Sequence, residues 1–235
     1  MQSLKHELRL REDEADSLVK FLELMESDGD LTGSLKEYMG RDNTTLMTSM
    51  KAGMVLMLYN AVESTMTRGL EKLHIVLMEQ DLVFDECNDA IRQLLMVYYE
   101  NMREKSPDIN RRAPHILQLY DYMRGSTFFP LSYGQLCQFY SLYSGNLDAR
   151  EIVSVLKKYG VGFEEKISEL KTIKDNRNHL AHGELTFEEV GRELSVPQLK
   201  NMKEKTFEYM EKVSDSVDAF IKEKRYKKSG ELLAR

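Results

Sequence analysis

From Thr44 to about Gln80 no proline interrupts the chain, and Leu46, Met50, Met54, Met57, Leu58, Ala61, Val62, Thr65, Met66, Leu70, Leu73 and Leu77 recur at three- and four-residue steps. That spacing keeps apolar side chains on one face of a helix, whereas a strand would scatter them over both of its faces. A helix this long is a spine for others to pack on, and it points to an all-α fold. Composition agrees: of 235 residues only 4 are proline and 13 glycine, 14 are methionine, and charged residues make up 31%. This is the mixture of solvated helix faces over an aliphatic core. The length suffices for one domain with its own core.

The remaining elements follow from the same period and from its punctuation. Leu4, Leu8, Ala15, Leu18, Val19, Leu22 and Met25 predict a helix over residues 3–27, followed by a loop, SDGDLTG. GRDNTT is a second loop offering Asp42, Asn43 or Thr44 as cap for the spine. Ile91, Leu94, Leu95, Val97 and Tyr98 predict a third helix over Asp85 to Glu104. Residues 105–143 hold three of the four prolines, and only SYGQLCQF, with Ser132 and Gln135 at capping-box spacing, reads as a helix start there. Asn146 is expected to cap, and Gly160 to end, a short helix. Phe163 to His182 then forms a helix ended by Gly183, Thr186 and Glu189 open a short one, and Ser195 and Gln198 open a last helix reaching about Lys228. The expected organisation is one helical domain, 1–235. It comprises an N-terminal helix extension (1–30), core helices (44–104), a variable insert (105–143), and the Arg–His-bearing and C-terminal helices (146–228).

Several function classes are disfavoured by composition. Cys87 and Cys137 are too few and too far apart for a disulfide framework or a thiolate metal site, and both read as core or bystander thiols. The N-terminus is charged from its fifth residue and shows no apolar stretch of a secretory signal. The most apolar run, Ala52 to Val62, is far short of the ~20 residues that cross a bilayer. A cytoplasmic protein without membrane association is expected. The formal net charge of −6 disfavours indiscriminate coating of nucleic acid. Any nucleic-acid contact must be local, and the basic run of residues 221–228, with Lys224, Arg225, Lys227 and Lys228, is either such a contact or a solvated helix tail.

One helix carries an anomaly. At about 100° per residue, Phe163, Ile167, Leu170, Ile173, Leu180 and Ala181 fall in one arc, and Arg177 falls inside it. A guanidinium keeps its charge, so either a carboxylate meets it, with Glu63 on the spine as candidate, or an anion is meant to arrive. Only five histidines occur in the chain, and His179 and His182 both lie within six residues of Arg177. An imidazole takes a proton from a ribose 2′-hydroxyl or gives one to a leaving 5′-oxygen, while a fixed guanidinium holds the phosphate and its growing charge. Those are the functions that metal-free RNA cleavage requires. Arg177 and His182 are nevertheless separated by about 140° around a regular helix. Two copies facing each other across a twofold axis would bring the groups together, with the Arg177 stripe partly an interface.

R177-N-H-L-A-H182, an Arg-x-x-x-x-His motif with polar Asn178 after the Arg, resembles the signature of the HEPN superfamily. LMLYNAVESTMTRGLE, SGNLDAREIVSVLKKYG and IKDNRNHLAHGELTFEEVGRELS together are similar to the MAE branch of HEPN-like nucleases, over about two thirds of the chain. The resemblance implies a helical bundle, an RNA substrate, a homodimer and a toxin or antiviral-defence role. It makes Arg177 and His182 the catalytic pair, Asn178 and His179 supporting residues, and Glu63 and Asn60 supporting family positions that orient the Arg. HEPN toxins silenced by partner nucleotidyltransferases carry a Tyr two residues after the motif His. This chain has Glu184 there, which puts control by tyrosine adenylylation in doubt.

Two rivals stand beside the nuclease. The first is a non-catalytic HEPN-like module that holds a nucleotide or a partner protein, such as a regulatory subunit of a defence or toxin–antitoxin system. The second is a metal hydrolase built on the i, i+3 pair His179 and His182, but no nearby Cys or acid pattern completes its site. No Gly-rich phosphate loop, nucleophile elbow or paired-carboxylate motif occurs. Neither cofactor nor metal is expected, and a neutralising antitoxin or defence-system partner would supply restraint.

Overall fold

The computed structural model describes residues 4–27, 33, 34, 37, 43–106, 108–143 and 145–228, and among these the fold is all-α, with no strand. In chain order the helices are α1 (Leu4–Ser27), α2 (Asn43–Glu79), α3 (Asp89–Lys105), α4 (Ile109–Met123), α5 (Tyr133–Phe139), α6 (Ala149–Tyr159), α7 (Glu169–Ala181), α8 (Phe187–Arg192) and α9 (Val196–Lys222). The chain divides into two compact units. The first takes residues 1–65, 147–149 and 166–212, and the second takes 66–146, 150–165 and 213–235.

In the first unit α1 turns Leu4, Leu8, Ala15, Val19, Leu22 and Met25 inward, the i, i+4, i+7 rhythm of its sequence. Ion pairs run from α1 to α9 in antiparallel order: Lys5 with Glu211 (3.4 Å), Asp16 with Lys203, and Glu23 with Lys200 (2.9 Å). The Lys5 and Lys200 pairs are exposed and contribute little stability each, whereas Lys203 is buried, so the buried leucines and methionines hold most of the contact and the charges set its direction. Gly191 of α8 packs so closely on the first turns of α2 that a Cβ there would lie 1.8 Å from the Thr48 carbonyl oxygen. That places α8, directly after the Arg–His motif, hard against the spine.

The second unit is organised around buried polar contacts. His74 of α2 is 1% exposed, with Nδ1 2.7 Å from the Leu131 carbonyl oxygen and Nε2 2.9 Å from the Tyr159 hydroxyl. Cys87 is buried with Sγ 3.0 Å from the Tyr122 hydroxyl, and burial pushes its thiol up to about 11. Of the two thiols, Cys87 is thus a core residue, while Cys137 is exposed. Asn88 caps α3 by accepting the Ile91 N–H at 2.9 Å, and its own N–H donates to the Tyr226 carbonyl at 2.8 Å. The segment 105–143 contributes buried Tyr122, Phe129, Leu131, Leu136 and Leu142 to this unit.

Several boundaries differ from expectation. The third helix starts at Asp89, because Asn88 caps it and Phe84–Glu86 forms a separate 3₁₀ turn. α4 forms despite Pro114, which removes a single N–H and is accommodated six residues into the helix. α6 begins at Ala149, so Asn146 lies before its cap position. α7 begins at Glu169 rather than Phe163, so Phe163 and Ile167 do not extend its stripe. α9 ends at Lys222; Lys224 and Arg225 beyond it lie in turns, and Lys227 makes an isolated bridge with Cys87. The Asp42 alternative for capping the spine lies outside the described residues. The boxes at Ser132–Gln135, Thr186–Glu189 and Ser195–Gln198 are closed by reciprocal bonds as their spacing predicts.

Candidate active site

α7 ends on a backbone device. Gly183 adopts φ +67°, its N–H donates to the Leu180 carbonyl (3.2 Å), and the Glu184 N–H reaches the His179 carbonyl (2.9 Å). These two bonds form a Schellman motif, whose left-handed position suits glycine because a Cβ there is strained. His182 is the C-cap residue, with φ −89° and ψ −2°, and its side chain is exposed.

Arg177, one and a half turns earlier, is half-buried. Its guanidinium carbon lies 4.6 Å from the centre of the Tyr59 ring on α2, and its Nη1 donates to Asn178 Oδ1 at 3.1 Å. Tyr59 is fixed in turn: it is 1% exposed, and its hydroxyl accepts the Leu147 N–H at 3.3 Å. Among the described residues no carboxylate lies within ion-pair distance of Arg177. Of the two alternatives for this cation, pairing with Glu63 is not the one found among the described residues. Glu63, one turn beyond Tyr59, is half-buried and makes no hydrogen bond or ion pair among the described residues, while Asn60 is exposed.

Magnitudes explain why the arrangement is stable. A fully buried, unpaired cation would cost several kcal/mol, but a half-exposed guanidinium keeps part of its hydration and gains about 1 kcal/mol over an aromatic face. Stacking uses the planar face and leaves the remaining edge N–H donors for an anion. A buried ion pair on α7 is made three residues earlier, where Lys174 meets Asp148 at 2.8 Å with both side chains largely buried.

Of the residues singled out in the sequence, the structure joins Arg177 to Asn178, and sets His179 Nδ1 2.7 Å from Glu184 Oε2. His182 stands exposed in the same last turn. The basic residues belong to the second unit: Lys224 has φ +51°, Arg225 pairs with Glu223 (2.7 Å), Lys227 pairs with Glu86 (3.0 Å), and the Lys228 N–H donates to the Glu86 carbonyl (2.9 Å). Tyr59 was missed by sequence reasoning, since a tyrosine on an apolar stripe reads as core. Among the described residues no group of three or more His, Cys, Asp or Glu gathers as a metal site, and no helix is long and apolar enough to cross a membrane.

The all-α fold agrees with the HEPN class. A model of the MAE_28990-like HEPN family matches residues 1–226, and the chain belongs to that family. No curated protein and no solved structure matches it. Membership makes the chain a nuclease-like or RNA-related module of a kind that often works as a dimer.

Proposed function

We propose that this protein is a metal-independent endoribonuclease, acting as a toxin or antiviral-defence effector in the cytoplasm, with its site completed across a homodimer. The supporting observation is Arg177, a permanent cation held on the Tyr59 ring with no carboxylate partner among the described residues, in the same helix end as an exposed His182. Arg177 clamps the scissile phosphate, Asn178 steadies the guanidinium, and His182 moves a proton at the 2′-hydroxyl or the leaving 5′-oxygen. Because the two groups point about 140° apart on one helix, a second copy brings its own pair to the same phosphate.

RNA incubated with the protein in EDTA is expected to give 2′,3′-cyclic phosphate and 5′-hydroxyl ends. Arg177→Ala and His182→Ala should each lower cleavage at least ~100-fold while keeping the helical CD spectrum and cooperative melting. Products with 3′-hydroxyl ends, or a requirement for divalent metal, would refute the mechanism. RNA retained on a wild-type protein that does not cut would instead identify a binding module.

A further inference from the structure

The Schellman exit of α7 does more than end a helix. In this motif the side chains at the third-last helical residue and at the second residue after the cap come together, here His179 and Glu184. At the end of α6 the same pair of backbone bonds, Gly160 N–H to Lys157 and Val161 N–H to Leu156, brings together Leu156 and Val161, both buried. That is the usual hydrophobic closure. At the end of α7 the equivalent positions carry an imidazole and a carboxylate, 44% and 59% exposed, joined at 2.7 Å. An exposed ion pair adds little stability, so the cap alone gives no reason for these two residue types.

We propose that His179 is a second proton-transfer group of the site, with Glu184 as the residue that positions it. The inference rests on the ribonuclease reading above. An ionised carboxylate only accepts, so the proton of the bond sits on Nδ1. Nε2 is then fixed in direction and, among the described residues, makes no other hydrogen bond. His182 lies three residues on, about 60° around the helix, so both imidazoles share one exposed face. Cleavage by 2′-hydroxyl attack needs two proton movements. A neutral imidazole removes the 2′-hydroxyl proton as O2′ bonds to phosphorus, and a protonated one gives its proton to O5′ as the P–O5′ bond breaks. The products are a 2′,3′-cyclic phosphate and a 5′-hydroxyl, with the two rings left in exchanged protonation states that solvent resets. Glu184 is the charged group bonded to His179. Asp175 stands one turn earlier on α7, and α8, which packs on α7, carries Glu188, Glu189 and Arg192, with Glu188 paired to Arg192.

The test is kcat/KM between pH 5 and 9 on a fluorophore-labelled, mixed-sequence single-stranded RNA pool. Wild type is compared with His179→Gln, Glu184→Gln, Glu184→Asp and His182→Ala, each checked for folding by CD. Two imidazoles give wild type a bell-shaped profile. His179→Gln should lose ~100-fold or more and flatten one limb of the bell, the limb identifying whether His179 is base or acid. Glu184→Gln should lower kcat with KM unchanged, and Glu184→Asp should restore most of it. A His179→Gln protein that keeps both limbs and most of the rate, beside an inactive His182→Ala, overturns this proposal alone. Equal cleavage by wild type and His182→Ala, or no cleavage by wild type, overturns the underlying reading and this proposal with it.

Discussion

Acid should loosen the second unit through one side chain. His74 is 1% exposed, and its neutral form satisfies both neighbours, Nδ1–H donating to the Leu131 carbonyl and Nε2 accepting from the Tyr159 hydroxyl. A second ring proton would carry charge into an apolar interior and displace the tyrosine's donor, and burial lowers the imidazole from 6.5 to about 4. Between those values the unfolded chain binds the proton and the folded chain does not. Stability therefore rises with pH across this window, and is lost as pH falls through 6.5 toward 4. From pH 7 to pH 5 the linkage amounts to about 2 kcal/mol, or roughly 4–8 °C in Tm for a chain of this size. Thermal melts of wild type and His74→Gln at pH 7, 6 and 5 isolate the contribution, because the carboxylates titrate identically in both. The wild-type decline should exceed the variant's by that amount, and the His74 ring signal in an NMR titration should stay fixed from pH 7 to 5. Equal slopes in the two proteins, or a ring that titrates near 6.5, would refute the reasoning.

Two further outcomes follow from contacts in the first unit. Gly191→Ala places a Cβ against the Thr48 carbonyl, and should lower stability by more than about 2 kcal/mol in a urea melt, since backbone on both sides leaves little room to yield. Tyr59→Phe keeps the ring under Arg177 and loses the hydroxyl that accepts the Leu147 N–H, so it should cost about 1 kcal/mol of stability and retain cleavage. Tyr59→Leu removes the ring, and is expected to reduce cleavage with little further loss of helix content. Equal activity in the Phe and Leu variants would show that the stack does not position the guanidinium.

The contrast between Ser132 and Tyr59 shows how far the sequence carries. Capping boxes and left-handed glycines act over three to five residues, so Ser132, Thr186, Ser195, Gly160 and Gly183 were legible where they stand. The spine was legible because its period persists through α2. α4 was not, because Pro114 reads as a breaker and its outer face carries exposed Ile116, Leu117 and Tyr120, an apolar pattern without a visible core to explain it. α7 was drawn too long because Phe163 and Ile167 continue an apolar spacing into chain that is not helical. The partner of Arg177 is a matter of which α2 side chain meets α7 in space, and Tyr59 and Glu63, a single turn apart, are equally available to a one-dimensional reading. Likewise the spacing of His179 and Glu184 acquires meaning only once Gly183 folds them together.

Gly183 and Gly191 bracket the stretch that carries Glu184, the first bound to its left-handed turn and the second pressed on the Thr48 backbone. The connector is clamped at both ends, so its length is not a quantity that drift can adjust. A residue gained or lost between the two would have no slack to enter, and would swing the carboxylate away from the imidazole rather than merely enlarge a loop.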